Sequence, residues 1–272
     1  MSTTVADLNA VVERLWPASG AEPWDAVGLV AGDLDAPVTS ILLAVDAVLD
    51  TVDEAIAISA SALLVHHPLL LRGVTSVASD RYKGAVLSRL IKADCALIAV
   101  HTNADVVESG TSATFADLLG LTNQRPIVPG TDQIRGIGRV GELSSPTTLG
   151  RLARALGELL PATSTGVRAS GDFDAPVRTI ALCGGAGDAL LSHPDVLSAD
   201  VYITSDLRHH PASEARENAR VGRGPALIDV SHWASEWLWL DSAAAELRRE
   251  LPEVTVAVSE IRTDPWDFVV TQ

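Results

Sequence analysis

Short apolar runs of strand length alternate along this chain with segments whose apolar residues recur at helical spacing. That alternation constrains the fold more than any other feature. Thr4 to Leu15 carries Val5, Leu8, Val11, Val12 and Leu15 on one face, with Thr3 or Thr4 as a cap and Pro17 as a stop. The runs Ile41 to Val45, Ala62 to Val65 and Cys95 to Val100 read as strands, with helices expected over Val48 to Ser59 and Arg81 to Ala93. Thr114 to Leu119 begins or forms a further helix that Gly120 ends. Leu121 to Gly141, rich in proline and glycine, interrupts the rhythm and is expected as a linker or domain crossing. The pattern then resumes with helices over Thr148 to Leu160, Pro211 to Ala219 and about Ala234 to Leu251. Strands are expected at Val177 to Leu182, Asp200 to Thr204, Ala226 to Val230 and Val254 to Val258, and a glycine-rich turn into a helix at Gly184 to Leu191. The expectation is an α/β fold of two lobes, 1–125 and 126–272, with mostly parallel or mixed sheets. The C-terminal segment is free to pack back on the first lobe.

Composition narrows the classes of function. With 272 residues and a 47% hydrophobic fraction the chain has ample core, and no apolar run reaches the roughly 18 residues of a membrane span. The first residues show no basic-then-apolar signal segment. Cys95 and Cys183 each sit in an apolar run, as buried thiols of a reducing cytoplasm do. A formal charge of −15, with Lys83 and Lys92 the only lysines, excludes non-specific nucleic-acid binding and a polybasic membrane patch. A nucleotide remains compatible with such a chain if a metal or local cations supply the charge.

Polar chemistry collects at strand ends. Of the seven histidines, all but His193 follow a strand-like run: His66 and His67 before Pro68, His101, His209 and His210, and His232. The C-terminal ends of parallel strands share one edge of a sheet, so these imidazoles can converge there. Asp105 lies four residues past His101 and, taken alone, reads as a turn or helix cap before it reads as a ligand. His232 and Glu236 are four apart, on one face if a helix starts there, which also describes an ordinary exposed pair. Consecutive side chains in an extended segment point to opposite sides, so His66 and His67 are expected to serve two neighbouring ions rather than one. Three imidazoles and two carboxylates, one of them bridging, suit a two-metal site holding zinc, manganese, iron or cobalt better than calcium or magnesium. Cys183-Gly184-Gly185-Ala186-Gly187-Asp188 offers an anion cradle or simply a tight turn of small residues.

Several motifs together resemble the Nif-three-like dinuclear metal-centre family, often labelled GTP cyclohydrolase type-two homologues. They are Trp24-Asp25-Ala26-Val27-Gly28-Leu29, His66-His67-Pro68-Leu69, His101-Thr102-Asn103-Ala104-Asp105 and Gly136-Ile137-Gly138-Arg139. Cys183-Gly184-Gly185-Ala186-Gly187 and Thr204-Ser205-Asp206-Leu207-Arg208-His209-His210 follow. Ile228 to Glu236 and Ser259 to Pro265 complete the set, in order and nearly end to end. The resemblance implies that His66, His67, Asp105, His232 and Glu236 hold two divalent ions, Glu236 being shared. It also implies two α/β lobes with the metals between them, and a homohexamer with its sites facing an internal cavity. His101, His209 and His210 would then lie near the metals, as outer ligand partners or substrate contacts. Ala26 stands where the family has asparagine, Ser205 and Ser231 where it has glycine, and Ser109-Gly110-Thr111-Ser112 where it has a Gly-Gly segment. None of these removes a proposed ligand.

The function expected from these features is metal-dependent hydrolysis, GTP cyclohydrolase-like, on a purine nucleotide. The alternative is a non-enzymatic metal-binding or metal-delivery protein, or an oligomeric regulatory scaffold. The surplus imidazoles His101, His209 and His210 favour the enzyme, since a pure binder has no need of them.

Overall fold

The structure is a computed structural model describing residues 3–130 and 133–271. The chain forms two compact units, one of Met1–Ala104 with Leu240–Thr263 and one of Asp105–Trp239 with Asp264–Gln272. The passage from the first to the second falls within a short helix whose sequence carries no linker signature.

In the first unit, helix α1 (Val5–Leu15) opens on a reciprocal cap. The Thr4 hydroxyl accepts from the Asp7 amide at 3.2 Å, and the Asp7 carboxylate accepts from the Thr4 amide at 2.9 Å. Then come β1 (Gly28–Ala31), β2 (Ser40–Ala44), α2 (Leu49–Ala57), β3 (Ala62–Val65), α3 (Tyr82–Lys92), β4 (Ala96–Ala99) and the one-turn α4 (Thr102–Asp105). The sheet runs β1-β4-β3-β2 and is closed by a returning strand, Thr255–Val258, beside β2. All its pairings are parallel except β1 with β4. Every residue of β3 and β4 is buried, the signature of strands covered on both faces. On one side Leu42, Leu63, Val65 and Leu97 pack with Val52 of α2 and Val86 and Leu90 of α3. Each such side chain contributes about 1.5–3 kcal/mol by burial.

Register decides where the chemistry goes. Ala44 pairs with Val65, and Val65 with Ala99. Asp46, His67 and His101 are each the second residue beyond those level positions, so three parallel strands deliver them to one edge.

The second unit comprises α5 (Thr111–Leu118), β5 (Leu121–Arg125), β6 (Val128–Pro129), β7 (Gly136–Ile137), β8 (Arg139–Thr148), α6 (Leu149–Leu159) and β9 (Arg168–Ser170). It continues with β10 (Pro176–Ala186), α7 (Pro194–Leu197), β11 (Val201–Ser205), α8 (His209–Arg220), β12 (Ala226–Val230) and α9 (His232–Glu250). From Leu240 onward α9 belongs to the first unit. The sheet order is β5-β8-β10-β11-β12-β9, with β10, β11 and β12 parallel and the flanking strands antiparallel. Each unit is therefore α/β with a mixed sheet. His193 caps α7, its ring accepting from the Asp195 amide at 3.3 Å, a structural role.

Two sequence expectations are corrected. Leu121 to Gly141 is not a linker: it holds β5, β6, β7 and the start of β8. Its glycines serve close packing, since a Cβ on Gly136 (φ +150°) would come 2.1 Å from the Val128 carbonyl oxygen and one on Gly138 (φ +65°) 2.8 Å from the Ile127 side chain. Gly184 to Leu191 is not a turn into a helix either. β10 runs through to Ala186 and only a single 3₁₀ turn, Asp188–Leu190, follows, so no helix N-terminus is there to cradle an anion.

No helix among the described residues is long and apolar enough to cross a membrane.

Candidate metal centre

In the first unit the imidazoles of His66, His67 and His101 form one group, and one donor atom from each lies within 4.8 Å of the others. Ring centroids are 5.1 Å apart for His66 and His67, 5.2 Å for His66 and His101, and 5.5 Å for His67 and His101. The expectation that His66 and His67 point to opposite sides is corrected here. β3 ends at Val65 and the chain bends through both histidines, so the alternation of an extended strand no longer applies.

Each ring is fixed through Nδ1. His66 donates to the Val100 carbonyl oxygen at 2.9 Å, His67 to Asp46 Oδ1 at 2.8 Å and His101 to Asp25 Oδ1 at 2.9 Å. An imidazole whose Nδ1–H is given to a carbonyl or carboxylate has its lone pair on Nε2 and its plane held, the usual arrangement of a metal-ligating histidine. Asp46 is itself held by the Thr263 hydroxyl. Asp25 accepts from the Ala26 amide at 2.7 Å and from both the amide and hydroxyl of Thr102. Burial acts to raise the Asp25 carboxyl, but the bonds from Thr102 and His101 outweigh it and hold it below the ordinary value. The ring of Trp24, beside Asp25 in sequence, stands edge-on to His101 at 5.8 Å and is 59% exposed.

In the second unit His232 is the first residue of α9, and the helix sets Glu236 one turn on, with Nε2 3.0 Å from Oε1. The pair is thus on one helix face, as the spacing expects. His232 Nδ1 donates to Asp206 Oδ2 at 2.8 Å, repeating the pattern of the other three imidazoles. Burial acts to lower the His232 pKa, but the carboxylates of Glu236 and Asp206 on either side push it up to about 11. A site that draws a proton this strongly is one where a divalent cation would take the proton's place.

Asp105 ends α4, where the Thr111 hydroxyl donates to its Oδ1. Burial pushes the nearby Cys183 thiol up to about 12, and the carboxylates of Asp105 and then Glu236 add to the rise, so both act on one buried point of β10. Gly185 of the same strand lies against the helix pair: a Cβ there would be 2.4 Å from Glu236 Oε1 and 3.4 Å from His232 Nε2. His209 and His210, rings 5.3 Å apart, open α8 and are exposed.

Sequence reasoning did not single out Asp25, Asp46 and Asp206, which orient three of the imidazoles. The available signal was position: Asp46 follows a strand level with the one that precedes His67. The donor chemistry fits a divalent transition ion: imidazoles oriented through Nδ1, with carboxylates beside them. Replacing Asp46 by asparagine keeps the shape and removes the charge behind His67. The expected result is a loss of about 10–100-fold in metal affinity, read by chelator competition, with an unchanged circular dichroism spectrum.

Residues 3–265 match the family model described as Duf34/NIF3 (NGG1p interacting factor 3). The chain is 46% identical to a Streptomyces coelicolor protein named GTP cyclohydrolase 1 type 2 homolog, over 96% of this chain and 93% of that one. It is 31% identical to a Clostridium perfringens protein of the same name, over 97% and 98% of the two chains. Among solved structures, a Staphylococcus aureus hypothetical protein superposes with a TM-score of 0.89 at 29% identity, covering 99% of this chain and 100% of its own. The chain belongs to the Duf34/NIF3 family.

Proposed function

We propose that His66, His67, Asp105, His232 and Glu236 together hold two divalent ions, Glu236 being shared, and that the protein is a metal-dependent hydrolase acting on a purine nucleotide such as GTP. The observation that carries this reading is the common orientation of four imidazoles. Each gives Nδ1 to an oxygen acceptor, the arrangement of a metal-ligating histidine, and His232 turns its Nε2 to the carboxylate of Glu236. The names of the Streptomyces coelicolor and Clostridium perfringens relatives support the cyclohydrolase-like choice. A pair of divalent ions bound there would supply Lewis acidity and lower the pKa of a bound water toward neutrality.

The chain's own groups do the rest. Asp25, Asp46 and Asp206 hold the rings of His101, His67 and His232 in orientation through Nδ1. His101, held by Asp25, is placed to move a proton to or from a substrate, with the exposed Trp24 ring beside it as a surface for an aromatic base. His209 and His210 are proposed as further substrate contacts, and the assembly as a homohexamer in the cytoplasm.

The test is metal analysis of the purified protein, then incubation of metal-loaded and metal-stripped protein with GTP and with generic phosphoesters. Turnover that needs the metal is the expected outcome. Full metal occupancy with no turnover of any of these compounds would favour a metal-binding or metal-delivery protein, and wild-type-like turnover after stripping would sink the mechanism.

A further inference from the structure

The segment Ser109-Gly110-Thr111-Ser112 precedes and opens α5, and its two hydroxyl residues are almost fully buried, Thr111 at 0% and Ser112 at 2% exposure. Buried hydroxyls are there to make hydrogen bonds, and the bonds these two make lead to Asp105 and to the end of β10 that lies beside Glu236. The Thr111 hydroxyl donates to Asp105 Oδ1. The Ser112 hydroxyl accepts from the Gly184 amide at 3.1 Å. One residue further along β10, the Gly185 amide donates to the Ser235 hydroxyl at 3.0 Å, and the Gly185 carbonyl accepts from Thr204 at 3.1 Å. Ser235 donates in turn to the His232 carbonyl at 2.8 Å. The Gly184-Gly185 end of β10 is thus pinned from one side by α5 and from the other by α9, with Asp105 tied to the first and Glu236 carried by the second, its carboxylate against Gly185.

We infer that Thr111 is a positioning residue for the proposed metal site: its hydroxyl fixes the plane of the Asp105 carboxylate by donating to Oδ1. A carboxylate that rotates freely must be ordered when a cation binds, at a cost in affinity, whereas one already bonded has met that cost on folding. The inference rests on the metal-binding reading of Asp105. It adds that this chain's own hydroxyl at Thr111 sets how tightly the ions are held.

Thr111→Val is the direct test, because it conserves shape and removes only the hydroxyl, and Thr111→Ser restores the donor. Cobalt and zinc affinities are read by competition with a chromophoric chelator, and the visible absorption of cobalt-loaded protein is recorded at saturation. Thermal unfolding of the metal-stripped proteins checks that each variant folds. Thr111→Val is expected to bind about 10–100-fold more weakly with a shifted cobalt spectrum, and Thr111→Ser to return to parent values on both readouts. Parent-like affinity and spectrum in Thr111→Val would overturn the inference, and so would a Thr111→Ser variant as weak as the valine. Asp105→Ala separates the two levels. If it leaves metal affinity unchanged, the metal reading of Asp105 fails; if it weakens binding while Thr111→Val does not, only the role of Thr111 fails.

Discussion

His67→Ala is expected to purify without tightly held metal and without turnover of any substrate the parent accepts. The size of the effect follows from the cost of losing one ligand. A closed four-ligand zinc site is worth about 10–16 kcal/mol. One ligand is then on the order of 3 kcal/mol, or more than about 100-fold in affinity at about 1.4 kcal/mol per tenfold. His67 is a cleaner target than His66. Its side chain is 26% exposed, so alanine leaves no enclosed void, whereas His66 is fully buried against Val100. The released Asp46 keeps its bond from Thr263 and stays solvated, so the fold should survive. Asp105→Ala should give the same loss of metal. Elemental analysis after dialysis, with circular dichroism as the folding control, reads the result. Parent-level metal in His67→Ala would show that this histidine is not a ligand.

Asp46→Asn provides the graded comparison. It leaves the His67 ligand atom in place and weakens only its support, so it should fall between the parent and His67→Ala. An asparagine variant as damaging as the alanine would mean that Asp46 does more than orient the ring.

Much of this arrangement is legible in the chain. The runs Ala62 to Val65 and Ala226 to Val230 are strands with the bounds their sequences give, because both are interior strands buried almost throughout; in the second, Asp229 is the one polar residue of the run. The i,i+4 spacing of His232 and Glu236 identifies a pair on one helix face, and α9 begins at that histidine. Leu121 to Gly141 is illegible for a physical reason. β5 is an edge strand with mostly exposed residues and a left-handed Asn123 (φ 53°), and β8 carries Ser144, Ser145 and Pro146, so neither shows a clean alternation. The bend that turns His66 and His67 toward each other is set by tertiary bonds. The His66 and His67 amides pair with the Ala44 and Val45 carbonyls while the rings pair elsewhere, and no dipeptide rule contains that. The orienting aspartates are equally invisible one at a time. Only the register of β2, β3 and β4 makes Asp46 the neighbour of His67.

Gly185→Ala is expected to cost more at the metal than at the fold. The residue has φ +69°, so any side chain meets left-handed strain of roughly 1–2 kcal/mol. The new methyl would sit 2.4 Å from Glu236 Oε1, a distance no carbon and oxygen tolerate, and 3.4 Å from the carboxylate carbon. Backbone cannot yield, because Gly185 is bonded on both sides to Ser235 and Thr204. The glutamate must therefore move, and it is 4% exposed with Oε1 held by His232 Nε2 at 3.0 Å. Moving it breaks that pair and shifts the one carboxylate proposed to be shared by two ions, so both metals should be lost together. Chemical denaturation of the metal-stripped protein should show a loss of about 1–2 kcal/mol, while metal content falls to that of Glu236→Ala. Gly184→Ala is the control. Its Cβ would meet nothing closer than 3.6 Å, so it should keep its metal, and loss of metal there as well would mean that β10 tolerates no side chain at either position, leaving the contact with Glu236 without a special role.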